Sequence, residues 1–357
     1  MKYCAYVASN AHVAVMRSTH AGMMEYELEA RFLFEIYKNG GCRRCAYTSI
    51  CACGPNASVL HYGHAGAPND RQLGEADIAL LDMGSEYHGY VSDITCSFPV
   101  SGKFSSDQRG VYEGVLSAQI AVLENMRPGF SWVACHRAAE RQILKALLGL
   151  GILRDPSASC SSTPQLRFHQ PFSVFQLQLN SSDDGVLNSL IDAMVNVDLG
   201  AVFFPHGLGH LIGCDTHDVG GYLPGSPDRS TKPGVDKLRT SRCLEAGMIL
   251  TNEPGCYFID MLLDRALASP EQAIYINNDV LKRFRGFGGV RLEDVVLVTE
   301  TGPANLTLCP RTCEEVESVM SGGQWPPALD AAPQLFRRWC TFSPSAPTVM
   351  TDIQLGV

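Results

Sequence analysis

No apolar run in this sequence approaches the roughly 18 residues needed to cross a bilayer. There is no basic excess either. Lys and Arg number 28 against 37 Asp and Glu, a net charge of −9, and no basic stripe stands out. Nucleic acid is therefore a poor main partner. Charged residues are only 18% of the chain, too few for a disordered polymer, while hydrophobic residues at 45% supply a sizeable core. Asn10 and His12 interrupt the N-terminal stretch, so it lacks the apolar block of a secretory signal. No tandem repeat of fixed short period is present. At 357 residues the chain is long enough for two domains or one large one.

Cysteine is not scarce. Fourteen are scattered, many in apolar runs, as with Cys96, Cys135, Cys214, Cys243 and Cys256. That usage predicts free thiols in a reducing, cytoplasmic setting rather than the disulfide framework of a small secreted domain. The cluster Cys42, Cys45, Cys51 and Cys53 invites a zinc reading. The one-residue spacing of the second pair and the lack of a closely following His argue against it.

Helical patterning runs from about Ala11 to Tyr37 and breaks near Gly22. Residues 45–52 and 57–62 read as strands with a turn at Gly54-Pro55-Asn56. Asp77–Met83 reads as a buried strand that turns back into Tyr90–Ser97. Ser105 or Ser106 is a cap for a helix running to about Met126, and Ser131 is a cap for the next. Residues 154–188, rich in Ser, Pro and Gln, read as a loop insert. Helical pattern resumes at Leu187–Val197. The tail 319–357 has no clear period and is expected to be poorly ordered.

Chemistry concentrates at a few places. Asp82 and Asp93 flank a turn in LLDMGSEYHGYVSDIT and can meet across a hairpin, where a buried carboxylate pair repels itself unless protons or cations intervene. His206, His210 and His217 fall within twelve residues in PHGLGHLIGCDTHDVGG. Glu253 in LTNEPG and Glu293 in GGVRLEDVVLV lie in strand-like apolar segments, where an isolated carboxylate is costly. Arg291 is a salt-bridge partner for Glu293 or Asp82. Four acids plus His210 come close to balancing two divalent cations and a hydroxide. A donor set rich in carboxylate and free of thiolate suits Mn²⁺ or Co²⁺ better than structural zinc. Two such cations can activate water and polarise a carbonyl, which is hydrolase equipment.

At these residues the sequence resembles the M24 metallopeptidases, whose other members include methionine aminopeptidase, aminopeptidase P and creatinase. Within that family it is most similar to the prolidases, or Xaa-Pro dipeptidases. The stretches that carry the likeness are LHYGHAGAPNDR, LLDMGSEYHGYVSDITCSFP, FPHGLGHLIGCDTHDVGGY, LRT with AGMILTNEPGCYFIDMLLD, and RFRGFGGVRLEDVVLVT. The resemblance implies an α+β pita-bread fold over residues 7–318, with pseudo-two-fold halves of helices and sheet. It implies that Asp82, Asp93, His210, Glu253 and Glu293 ligate two divalent ions, most simply Mn²⁺, with Asp93 and Glu293 bridging. It implies catalytic roles for His61, His206 and His217, substrate contacts from His61 and His217, and a clamp from Arg239 on the carboxylate of a C-terminal proline. Tyr47, Thr95 and Arg291 would orient the ligands. The implied activity is hydrolysis of Xaa-Pro dipeptides by a bridging hydroxide. The alternatives are an aminopeptidase P-like enzyme acting on longer Xaa-Pro peptides, or an incomplete isoform acting as a binding protein. The partners implied are a small peptide and a second copy of the chain, with no nucleic acid or membrane. Prolidases carry a separate N-terminal domain that contributes to dimer contacts, whereas this sequence begins almost at the first catalytic-domain helix.

Overall fold

A computed structural model describes residues 1–64, 68–157, 183–343 and 346–352. It builds two helix-then-sheet halves whose sheets meet at one edge. In the first half, helices α1 (Lys2–Ser18) and α2 (Glu25–Gly40) precede strands β1 (Arg44–Cys45), β2 (Ile50–Cys53), β3 (Ile78–Asp82), β4 (Ser85–Tyr87), β5 (Tyr90–Val91) and β6 (Thr95–Pro99). In the second, helices α3 (Ser106–Leu123), α4 (Trp132–Gly149), α5 (Asp183–Asn196) and α6 (Gly200–Phe203) precede β7 (Ile249–Asn252) and β8 (Gly255–Tyr257). Short helices α7 (Asp260–Ala268), α8 (Pro270–Ala273) and α9 (Asn278–Leu281) lead to β9 (Gly289–Arg291), β10 (Asp294–Thr299), β11 (Gly302–Asn305) and α10 (Cys313–Met320).

Helix α1 starts nine residues earlier than the sequence pattern suggests. Cys4, Ala5, Ala8, Ala11, His12 and Val15 form its buried face, and the polar Ser9 is buried by bonding back to the Ala5 carbonyl. Ser105 caps α3 with a reciprocal Gln108 contact, and Ser131 caps α4, so both helix starts follow from local chemistry. The expected strand at 57–62 is absent. Gly54–Ser58 forms a 3-10 turn with Pro55 at its start, and the chain continues in turns through His61 and Tyr62. Glu25 explains this. Its buried carboxylate accepts from Cys53 N, Asn56 Nδ2, Tyr62 Oη and Arg71 N, so it ties the loop to α2 and leaves no ladder for a strand.

The antiparallel sheet β2-β3-β6 places Asp82 opposite Thr95, and the sheet β11-β10-β7 places Asp294 opposite Asn252. A bridge between Thr95 and Glu293 joins the two sheets. Buried Val, Leu and Ile from both sheets pack under α1–α4 in one continuous core.

The insert 154–188 lies mostly outside the described residues. Of its ends, Arg154 N bonds the Tyr275 carbonyl, and α5 begins at Asp183. The tail differs from the expectation of disorder over 319–343. Arg337 is buried between the rings of Trp325 and Trp339, paired with Glu315 at 2.7 Å and Asp330 at 2.6 Å. Strands β12 (Cys340–Ser343) and β13 (Ala346–Asp352) form a hairpin, and Phe342 packs on Tyr3 and Tyr6 of α1. These contacts run through cation–π stacking and hydrogen-bonded indoles, which leave no hydrophobic period to read. No helix among the described residues is long and apolar enough to cross a membrane.

Candidate metal centre

The site forms where the two sheets join. Antiparallel pairing sets Asp82 at the end of β3, and Asp93 stands two residues before the Thr95 that pairs with it. The Tyr47 hydroxyl lies 2.6 Å from Asp82 Oδ1 and 2.5 Å from Asp93 Oδ1, so it can donate to either and hold the two together. Glu293 arrives from the other sheet. Its N–H donates to the Thr95 carbonyl at 3.1 Å, and its Oε2 accepts from Thr95 Oγ1 at 2.6 Å.

His210 and Glu253 come from two segments locked against each other. Thr251 N donates to the His210 carbonyl, and His210 N donates to Thr251 Oγ1. Gly209 makes this approach feasible, because a Cβ there would lie 2.1 Å from the Thr251 carbonyl oxygen. His210 Nδ1 faces the Leu211 carbonyl at 3.0 Å, which can only accept, so the proton sits on Nδ1. Its Nε2 then points at Asp93 Oδ2, 3.3 Å away, and Glu253 Oε1, 3.5 Å away.

The electrostatics are those of crowded carboxylates. Burial and Asp93 push Asp82 up to about 6. Burial and nearby acids, notwithstanding His210, push Glu253 up to about 7, and burial with Asp93 and Glu253 holds Glu293 well above the usual carboxylate range. Burial opposes ionisation of Asp93, but hydrogen bonding to His210 and Tyr47 holds it below the usual range. Ligand atoms of Asp93, His210 and Glu293 all lie within 4.8 Å of one another. Asp82 and Glu253 line the same cavity of about 320 Å³. Repelling hard oxygen donors with one imidazole nitrogen suit divalent cations such as Mn²⁺.

Around these five, Arg291 settles on Asp82. Its Nη2 donates to Asp82 Oδ2 at 2.7 Å and its Nε to Thr95 Oγ1 at 3.1 Å, while none of its bonds reaches the Glu293 side chain. His206 is half-buried and hydrogen-bonded at both ring nitrogens. Its Nδ1 meets the Gly207 carbonyl at 2.8 Å and its Nε2 the Tyr257 hydroxyl at 2.9 Å; burial and Arg291 hold it down at about 3. His61 and His217 instead stand exposed on the cavity wall, with Arg239 beside them. Partial desolvation at the cavity wall lowers both, His217 to about 4 with help from His210 and Arg239, so they are neutral at physiological pH.

Three residues escaped sequence reasoning. Tyr257 is buried, accepts from Arg291 Nη1 at 2.9 Å and donates to His206, so it links the arginine to the histidine. Its position two residues after Gly255 in a strand was the available signal. Arg311 donates to the Thr95 and Glu293 carbonyls and pairs with Asp294 at 2.7 Å. Lys237 lines the cavity near Arg239. Among the described residues, the one group of three or more convergent ligands is Asp93, His210 and Glu293, and the cysteines Cys42, Cys45, Cys51 and Cys53 form no such group.

The model of metallopeptidase family M24 matches residues 1–300. The Xaa-Pro dipeptidases of Rattus norvegicus and Homo sapiens are each 48% identical over 322 residues, which is 90% of this chain and 58% of theirs. The chain thus spans well under two thirds of the length of these relatives. Among solved structures, the aminopeptidase PepP of Pseudomonas aeruginosa is similar with a TM-score of 0.67 and 33% identity, over 90% of this chain and 58% of that one. The pita-bread α+β architecture is common to both.

Proposed function

The chain belongs to metallopeptidase family M24, and from that premise we propose that it hydrolyses dipeptides with a C-terminal proline at a two-cation centre. Asp82, Asp93, His210, Glu253 and Glu293 would hold the cations. The observation that carries this reading is the convergence of Asp93, His210 and Glu293 within 4.8 Å, with Asp82 and Glu253 on the same cavity wall. Two Mn²⁺ ions, when bound, supply activation of water and polarisation of the scissile carbonyl.

The chain's own residues do the rest. The Arg239 guanidinium at the cavity mouth receives the carboxylate of the C-terminal proline, for which its planar fork is suited. His61 and His217, neutral and exposed, hydrogen-bond the substrate amide oxygen as charge develops there. The Glu253 carboxylate would take a proton from the attacking water and pass it to the departing proline nitrogen. Tyr257 and Arg291 fix His206, and Tyr47 and Thr95 fix the acids. Identity to the Xaa-Pro dipeptidases supports the dipeptide reading. Likeness to aminopeptidase PepP favours a second one, cleavage of the N-terminal residue from longer Xaa-Pro peptides.

Proline release from Gly-Pro by the purified, folded chain, with and without Mn²⁺, is the test. Metal-dependent release that is absent in Asp82→Asn is expected. Cleavage of Gly-Pro-Ala but not Gly-Pro would favour the second reading, and full activity in Asp82→Asn would overturn the assignment of the centre.

A further inference from the structure

The segment from Asp236 to Arg239 is fixed in place by its backbone. Leu238 is fully buried, and its carbonyl accepts from the Tyr222 hydroxyl at 3.0 Å and from Arg229 Nη1 at 2.6 Å. Arg229 Nη1 also holds the Asp236 carbonyl at 2.9 Å. Two glycines let this segment press against the site. A Cβ on Gly207 would lie 2.8 Å from the Lys237 carbonyl oxygen, and a Cβ on Gly221 would lie 2.1 Å from that of Arg239. Gly207 directly follows His206, so the segment forms a wall of the cavity that holds the acids.

Lys237 ends the short 3-10 turn Val235–Lys237, the buried Leu238 follows it, and Lys237 and Arg239 on either side of that anchor both line the cavity. Among the described residues nothing pairs with the Arg239 guanidinium. Lys237 touches only its neighbour Asp236, at 2.7 Å, with 61% of its side chain exposed. One of its three ammonium donors is therefore engaged and two are available. The wall thus presents two cations two residues apart in sequence, facing one cavity. A dipeptide with an acidic first residue carries two carboxylates, complementary in number and sign to this pair. One is its C-terminus and the other its side chain.

We propose that Lys237 is a specificity-determining residue that favours acidic Xaa-Pro substrates, taking the side-chain carboxylate of Xaa while Arg239 takes the C-terminal one. This rests on the Xaa-Pro reading above. Lys237 is exposed, so the preference is modest and shrinks with salt.

The test compares Glu-Pro with the isosteric neutral Gln-Pro, as a ratio within each protein, so that any general loss of activity cancels. In the Mn²⁺-loaded full chain, kcat/KM favours Glu-Pro by about threefold at low ionic strength. Lys237→Ala brings the ratio to parity, Lys237→Arg keeps it, and Lys237→Glu inverts it. An unchanged ratio in Lys237→Ala overturns the proposal. Equilibrium binding of the same two dipeptides by calorimetry gives the same decision where turnover is undetectable. Hydrolysis of Gly-Pro together with parity between Glu-Pro and Gln-Pro in the unaltered chain defeats the specificity proposal alone. Preferential binding of Glu-Pro, lost in Lys237→Ala, with no hydrolysis of any Xaa-Pro peptide, defeats the dipeptidase reading alone.

Discussion

Thr95 and Glu293 lie 198 residues apart, yet each bonds the other. The Thr95 hydroxyl donates to Glu293 Oε2 at 2.6 Å, and the Glu293 N–H donates to the Thr95 carbonyl at 3.1 Å. One residue from each half of the fold thus sets the position of a buried carboxylate. Thr95→Val keeps the shape and removes the hydroxyl. Mn²⁺ affinity, read by titration calorimetry, is expected to fall about 10- to 100-fold, with an unaltered circular dichroism spectrum. An unchanged affinity would show that the hydroxyl does not orient Glu293.

Crowded acids at the centre raise one another's affinity for protons, a repulsion that bound cations would relieve. Mn²⁺ at about a hundred times its dissociation constant should stabilise the fold by about 2.7 kcal/mol per site, and EDTA should reverse the gain. Differential scanning fluorimetry reads this without any substrate. A Tm indifferent to both would contradict a cation site at these residues.

Arg311 and Asp294 are both buried and joined at 2.7 Å, and Asn305 Nδ2 takes the second Asp294 oxygen. Arg311→Met leaves Asp294 charged without its cation, so a loss of about 3–5 kcal/mol is expected in urea unfolding. The double variant Arg311→Met, Asp294→Leu should recover part of it, because no buried charge then remains unpaired. Equal losses in the single and double variants would contradict this account.

His136 is buried against the Phe204 ring, with centroids 4.8 Å apart. Burial, helped by Arg137, holds it down at about 3 in the folded chain, against an unfolded value near 6.5. Between those values the unfolded chain binds the extra proton, so stability falls as pH drops from about 6.5 towards 3. The contribution of this one group approaches about 1.4 kcal/mol per pH unit. His136→Phe should flatten the pH dependence of unfolding in that window. An unaltered slope would locate the proton uptake elsewhere.

What the sequence made legible was chemistry tied to short spacing. Asp82 and Asp93 flank a hairpin and meet as their spacing suggests, and Ser105 and Ser131 cap the helices they precede. What it hid was set by long-range pairing. The turn at 54–62 depends on Glu25, some thirty residues upstream, and Tyr257 gains its meaning only beside His206 and Arg291. The ordering of residues 319–343 rests on Arg337 between two tryptophans, an arrangement without periodic signature.

The five side chains gathered at this cavity also bear on when the centre can assemble during synthesis. Two belong to the first helix-and-sheet half and three to the second, and Glu293 falls close to the end of the second sheet. A nascent chain still attached to the ribosome through β9 has Asp82 and Asp93 but not Glu293, so it cannot complete the centre. All five donors are present together only once the second sheet has begun to emerge, so a half-made copy holds a partial cluster of acids and not the full set.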